Sequence, residues 1–275
     1  MILETLMPTT DPSPVHLPLH PSDDERRFGG LQRLYGLSGA QRIRQAHVVV
    51  VGLGGVGSWS AEALARSGVG RLTLIDMDHI AESNINRQIH ALTETTGQSK
   101  VLAMQARIAL INPDCRVDVV DDFVSPDNWP DLMSETPDAL IDACDQVKAK
   151  VVLAHWAMQL GLGFITVGAA GGKRQAHKVD VDDLSRITHD PLLAQLRYRL
   201  RKLHNAARGQ QRIGVQGVFS RESVAPPDVS CEVDGDGTLN CHGYGSVVSV
   251  TATFGMCAAS EILNFLAAAP KKLKK

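Results

Sequence analysis

Gly52-Leu53-Gly54-Gly55-Val56-Gly57-Ser58 follows a β-branched run, His47–Val51, and precedes good helix formers from Ser58 to Ser67. Glycines at this spacing permit a tight turn and let main-chain N–H groups close on a phosphate. A helix N-terminus behind the turn adds a favourable partial charge. Asp76 ends the next alternating run, Arg71–Ile75, where a carboxylate can accept hydrogen bonds from ribose hydroxyls. The glycine loop alone fits a nicotinamide dinucleotide as well as ATP. The residues beyond it separate the two: Asp78, then Ser83-Asn84-Ile85-Asn86-Arg87-Gln88, Gly97-Gln98-Ser99-Lys100 and Ile141-Asp142-Ala143-Cys144-Asp145. A dinucleotide reductase needs one acid near this strand end and has no use for an arginine and a lysine aimed back at the phosphates. An adenylating enzyme does, because its transition state carries extra negative charge on the α-phosphate. A carboxylate at a further strand tip can hold Mg²⁺ against the phosphates.

These groups must be carried by several elements in register. The polar, arginine-rich stretch Asp24–Gln45 predicts a helix, and His47–Val51 and Arg71–Ile75 predict two parallel strands of one right-handed βαβ unit. Ser99–Ile111 reads as an amphipathic helix stopped by Asn112-Pro113. Val117–Val120 and Ala139–Ile141 read as strands, Lys148–Leu160 as a helix, and Gly163–Val167 as the start of another strand. This alternation predicts an α/β fold: a doubly wound, mostly parallel, Rossmann-like sheet, with a mixed C-terminal extension after Gly168. The expected organisation is a disordered tail over 1–23, one ATP-binding adenylating domain over 24–270, and a short basic tail over 271–275. In that domain the N-terminal half holds the nucleotide and the C-terminal half faces the substrate.

The chain has 275 residues, with 28 Lys and Arg against 30 Asp and Glu, a net charge of −2 that excludes a globally basic nucleic-acid binder. Five cysteines without a CxxC pair make neither a disulfide framework nor a zinc ribbon and fit a reducing cytoplasm. The N-terminus lacks the basic start and apolar run of a secretory signal. Asn240–Ser260 carries no formal charge, but Ser, Thr and Gly dilute it and Glu261 interrupts its continuation. It is expected to be a buried strand and helix rather than a membrane span. His79, His90 and His155 show no metal-ligand spacing and read as structural, and Cys144, between two acids, reads as packed.

GLGGVGS, LIDMD, SNINRQ, GQSK and DACD, in this order and spacing, resemble the ubiquitin-activating-enzyme-like superfamily, over a span from about Arg26 to the C-terminus. The resemblance implies that Gly52, Gly54, Gly55, Gly57 and Ser58 lie under the phosphates of ATP and Asp76 on the ribose. It places Asn84, Arg87, Gln88 and Lys100 on the nucleotide, with Asp145 as the Mg²⁺ carboxylate and Asp78 as the lesser candidate. It further implies an arginine supplied by the N-terminal helix of a second copy in a homodimer. Arg33 in RLYG is the choice, and Arg27 in RFGG the alternative.

The thiamine and molybdopterin activators of that superfamily carry two CxxC pairs, and this chain has none. RFGGLQRLYG, TVGAAGG (Thr166–Gly172) and VTATFG (Val250–Gly255) are similar to a different branch, the tRNA threonylcarbamoyladenosine dehydratases. That likeness implies adenylation of the threonyl carboxylate of the modified adenosine, then attack by the neighbouring carbamoyl oxygen, closing a ring with net loss of water. Adenylation of a small sulfur-carrier protein is the alternative. A nicotinamide oxidoreductase is a third reading, resting on the glycine loop alone.

Six cations and no acid lie between Pro191 and Arg212: Arg197, Arg199, Arg201, Lys202, Arg208 and Arg212. In a chain of net charge −2 this asymmetry suits a tRNA backbone, and Tyr198 could stack on a base. The competing reading is a solvated helix face. Cys231 and Cys241 sit in a Gly/Asp-rich stretch beside His242. The ring closure needs no enzyme nucleophile, so Cys241 is expected to be non-catalytic. A role as sulfur acceptor toward a cysteine desulfurase system stays open.

Overall fold

The computed structural model describes residues 23–209, 211–228, 230 and 244–268. The expected tail before Asp23, the basic end 271–275, and Cys231, Cys241 and His242 lie outside the described residues. The chain opens with α1 (Asp24–Gln45), capped by the Asp23 carboxylate on the N–H of Arg26 and kinked at Gly36. It continues through β1 (His47–Val51), α2 (Gly57–Arg66), β2 (Arg71–Ile75), α3 (Lys100–Ile111) and β3 (Arg116–Val120). Then follow β4 (Ala139–Asp142), α4 (Val147–Leu160), β5 (Gly163–Val167), β6 (Val179–Asp183), α5 (Pro191–Leu203), β7 (Gln216–Ser220) and α6 (Val248–Ala267).

The seven strands form one sheet in the order β3-β2-β1-β4-β5-β7-β6. All neighbours are parallel except β6 and β7, which pair antiparallel at one edge. The expected mostly parallel, doubly wound sheet with a mixed C-terminal end is what the chain builds. Successive residues of β1 enter opposite cores, as the two-residue period of a strand requires. Val48 and Val50 pack with Leu72, Leu74, Ile141, Phe254 and Ile262 on the face covered by α2, α3 and α6. Val49 and Val51 pack with Leu140, Leu153 and Trp129 on the face covered by α4.

Of Asn240–Ser260, expected as a strand and helix, residues 240–243 lie outside the described residues. Among the described residues this region gives a helix, α6, and no strand. Val247, the residue before it, is extended and ends the non-helical backbone there. Alone among the described helices, α6 is long and apolar enough to cross a membrane. Half of its most apolar stretch is buried inside the fold. Its apolar residues Val250, Phe254, Ala258 and Ile262 recur at helical spacing and face the sheet core.

Strand order reverses between β1 and β4, whose neighbours lead away on opposite sides. Beyond the carboxyl ends of two such strands the crossovers diverge and leave a crevice, which is where open α/β sheets bind ligands. The turn Gly52–Val56 leaves one of these ends and Ala143–Gln146 the other.

Candidate active site

A cavity of about 620 Å³ opens at this crevice. Its first wall is the glycine turn. The N–H of Leu53 donates to Asp76 Oδ2 at 2.6 Å, tying the turn to the tip of β2. The N–H groups of Gly54, Gly55 and Val56 make no hydrogen bond among the described residues, and Gly54, Gly55 and Val56 line the cavity. Three unspent donors beside the start of α2 form an anion cradle. Gly52 lines the cavity as well.

Gly57 and Ser58 do not line it. A Cβ on Gly57 would stand 1.8 Å from the carbonyl oxygen of Gly52, so Gly57 is required for close approach within the turn. The Ser58 hydroxyl is fully buried and donates back to the Gly54 carbonyl at 2.7 Å. The expectation that both lie under the phosphates is therefore corrected: they shape the turn from behind.

Asp76 accepts a second hydrogen bond, from the N–H of Asp78 at 2.9 Å. Burial pushes its carboxyl above the usual carboxylate range, and Lys100 and the Leu53 N–H oppose that shift. Lys100, the first residue of α3, is nearly buried. Its Nζ stands 2.6 Å from Asp78 Oδ2 and 3.8 Å from Asp76 Oδ1. Arg87 is also buried and is held by the Ser83 carbonyl at 2.6 Å and Asn86 Oδ1 at 2.9 Å. Asn84 Oδ1 accepts from the N–H of Ala81, fixing the turn that carries Arg87. Asn84, Arg87, Gln88 and Lys100 all line the cavity, and Gln88 Oε1 is buried with no partner among the described residues.

Asp145 lines the cavity from the turn between β4 and α4. It is exposed and its carboxylate makes no hydrogen bond among the described residues. Asp145 thus offers a carboxylate without a partner among the described residues, while Asp78 is committed to Lys100 and Asp122 accepts from the Phe123 N–H. Mg²⁺ is commonly held by one or two carboxylates plus phosphate oxygens and water, so this donor set fits it. Among the described residues no cluster of three His, Cys, Asp or Glu could hold a metal by itself.

Sequence reasoning missed three parts of this site. Asp122, Phe123 and Val124, beyond β3, form a side wall, and Gly168–Gly171, beyond β5, form another. The third is a charge pair under the floor. Lys150 and Asp142 are both 0% exposed, with Nζ 3.2 Å from each carboxylate oxygen. Nζ also donates to the Val167 carbonyl at 2.8 Å, and the Thr166 hydroxyl donates to Asp142 Oδ2 at 2.6 Å. Cys144 is packed as expected. Its thiol lies 2.9 Å from Asp142 Oδ1, and burial pushes it well above its ordinary pKa. His79 is exposed and lines the cavity, whereas burial pushes His90 down to about 4.

Neither Arg33 nor Arg27 lines the cavity of its own chain. Arg33 is exposed, while Arg27 donates to the Ile111 carbonyl at 2.8 Å. The basic run also divides. Arg197 donates to the carbonyls of Leu184 and Ile187, at 3.0 and 2.8 Å. Arg201 donates to those of Ala207 and Gly209, at 2.9 and 3.1 Å. These two guanidiniums hold their own loops, so Arg197 and Arg201 are already engaged within the chain. Lys202, Arg208 and Arg212 are exposed and Arg199 is half-buried. Tyr198 is exposed, with Lys202 Nζ 5.8 Å from its ring centre.

The ThiF family matches residues 28–275. The chain is 44% identical over 244 residues to tRNA threonylcarbamoyladenosine dehydratase from Haemophilus influenzae, covering 88% of this chain and 94% of that protein. It superposes with a TM-score of 0.80 on the crystal structure of the Escherichia coli enzyme of that name in complex with ATP. That pair is 43% identical, covering 89% of this chain and 96% of the other. A sulfur carrier protein adenylyltransferase from Thermus thermophilus is 33% identical over 126 residues, 46% of this chain.

Proposed function

We propose, from the premise that this chain belongs to the ThiF family, that it carries out ATP-dependent dehydration of threonylcarbamoyladenosine in tRNA. The relatives named for this reaction match nearly the whole chain, whereas the sulfur-carrier enzyme matches under half of it, which favours the dehydratase reading over the alternative. The observation that carries the chemistry is the meeting in one cavity of the free N–H groups of Gly54–Val56 with Arg87, Lys100 and Asp145.

The threonyl carboxylate attacks the α-phosphorus of ATP, forming an acyl adenylate and releasing pyrophosphate. The carbamoyl group then closes on the acyl carbon, AMP leaves, and the nucleoside has lost the elements of water. The glycine-turn N–H groups hold phosphate oxygens, and Asp76 accepts from the ribose with the lone pairs that Leu53 and Asp78 leave free. Arg87 and Lys100 offset the charge that develops on the α-phosphate. Asp145 would hold Mg²⁺, which when bound supplies further positive charge against the phosphates. Wild-type protein should release AMP and pyrophosphate only when ATP and tRNA carrying the modification are both present. Release with unmodified tRNA at the same rate would sink the assignment.

Among the described residues Arg87 is the one arginine that lines the cavity, and in the proposed homodimer the exposed Arg33 of a second copy supplies another. Arg33→Ala and Lys100→Ala proteins, each strongly impaired, should therefore regain part of the activity when mixed under subunit exchange. A monomer by light scattering at working concentration would contradict the arrangement.

Arg199, Lys202, Arg208 and Arg212 contact the tRNA backbone. Each phosphate contact contributes about 0.7–0.9 to the log–log salt slope. Replacing Arg199 and Lys202 by Ser should lower the slope by up to roughly 1.8. Replacing Arg197 should instead cost stability, since its guanidinium ties Leu184 and Ile187 to α5. An unchanged slope in the Arg199/Lys202 variant returns the run to a solvated face. A cytoplasmic protein with access to tRNA and ATP suits this reaction, and a cysteine desulfurase system is a proposed partner through Cys241.

A further inference from the structure

A second cavity, of about 250 Å³, lies on the other side of the β5 loop. Gly171 lines the first cavity and Gly172 the second, so one peptide unit separates them. The Asn86 side chain, next to Arg87, donates to the Ser246 carbonyl at 2.9 Å, and Ser246 lines the second cavity. The wall between them is built rather than incidental. Gly172 has φ +68°, its N–H donates to the Gly245 carbonyl at 3.0 Å, and its carbonyl accepts from Ala225 N–H at 2.9 Å. A Cβ there would meet the Ala225 carbonyl oxygen at 2.8 Å.

The lining of the second cavity is unlike that of the first. Among the described residues it includes Tyr244, Pro226, Pro227 and Arg174. Its two other charged residues among those described are already committed. Lys173 is 2% exposed and its Nζ donates to the carbonyls of Glu222 and His189, at 2.9 and 3.3 Å. Asp228 accepts from the N–H and hydroxyl of Ser230, at 3.0 and 2.7 Å. The Arg174 guanidinium makes no hydrogen bond among the described residues, while its own N–H is pinned by the Glu222 carboxylate. An aromatic ring beside a guanidinium that makes no hydrogen bond is the kind of surface on which unstacked bases of RNA are held. The volume lies below the usual range for whole ligands, and so suits one base rather than a nucleotide.

We propose that this second cavity receives the purine of the modified nucleoside, splayed out of the tRNA, so that its threonyl arm reaches over Gly171–Gly172 to the α-phosphate. The inference rests on the dehydratase reading above and adds where the substrate base sits. Tyr244 and Arg174 are then substrate-binding residues that never touch ATP.

The test measures KM for tRNA carrying threonylcarbamoyladenosine and, separately, Kd for ATP, in wild-type, Tyr244→Ala, Tyr244→Phe and Arg174→Ala proteins. Loss of one stacking partner should raise KM for the tRNA about tenfold or more in Tyr244→Ala. Tyr244→Phe keeps the ring and should stay within about twofold of wild type, and Kd for ATP should not move in any variant. Unchanged KM in both alanine variants, or a parallel rise in Kd for ATP, would overturn the assignment. A wild-type protein that dehydrates no tRNA would instead bring down the dehydratase reading itself.

Discussion

Lys100→Ala should lower the rate of tRNA dehydration at saturating ATP by about 10²–10³-fold, the usual cost of removing one donor to a charge that develops in the transition state. Its ammonium is nearly buried and lies within 4 Å of Asp76 and Asp78. The variant loses a cation and also leaves two carboxylates beside the phosphate cradle with nothing to offset them. Kd for ATP should therefore rise as well, and Asp78→Asn in the same chain should recover part of that binding but little of the rate. The check is single-turnover formation of product with enzyme in excess over tRNA. A rate within a few-fold of wild type would show that Lys100 serves only to hold Asp78.

Lys150→Met should destabilise the protein by about 3–5 kcal/mol, because it leaves the Asp142 carboxylate buried and unpaired. Removing both charges, as Lys150→Met with Asp142→Leu, should recover most of that loss, since a buried pair is often no more stable than apolar groups of similar volume. Differential scanning calorimetry reads the single variant as a fall in Tm of roughly 6–20 °C. ATP binding should stay impaired in the double variant even where stability returns. The carboxylate and ammonium also fasten the turn Ala143–Gln146, through Cys144, to Thr166 and Val167 on β5. That turn presents Asp145 to the cavity. A double variant as unstable as the single one would contradict this account of the pair.

The two halves of the site differ in how far the sequence discloses them. HVVVV, the glycine turn and Asp76 are contiguous, and each has a local cause: β-branched residues for a strand buried on both faces, glycines for the turn, an acid at the strand tip. Arg87 and Lys100 are legible because cations spaced after such a unit have few other uses. Lys150 is not, since a lysine in KAK reads as the solvated face of a helix. Only the crossover from β4 to α4 brings it under Asp142. The wall Gly168–Gly171 is hidden for the same reason: nothing local says that β5 lies beside β4. Ser58 erred the other way, its place in the motif suggesting a ligand where its hydroxyl bonds to its own turn. Arg197 and Arg201 looked like free charge because the carbonyls they hold belong to loops that fold back on α5. The antiparallel β6–β7 pair is legible only as a mixed extension, because VDVDD alternates as an edge strand does but carries no signal of its partner.

The central claim is that this chain removes water from threonylcarbamoyladenosine at the expense of ATP. Purified protein is incubated with ATP, Mg²⁺ and tRNA carrying the modification, and the tRNA is digested to nucleosides for mass spectrometry. The account predicts that the threonylcarbamoyladenosine peak gives way to a species lighter by one water, in proportion to the AMP formed, and only when ATP is present. An unchanged nucleoside alongside continuing AMP formation would contradict it and move the acceptor of the adenylate elsewhere.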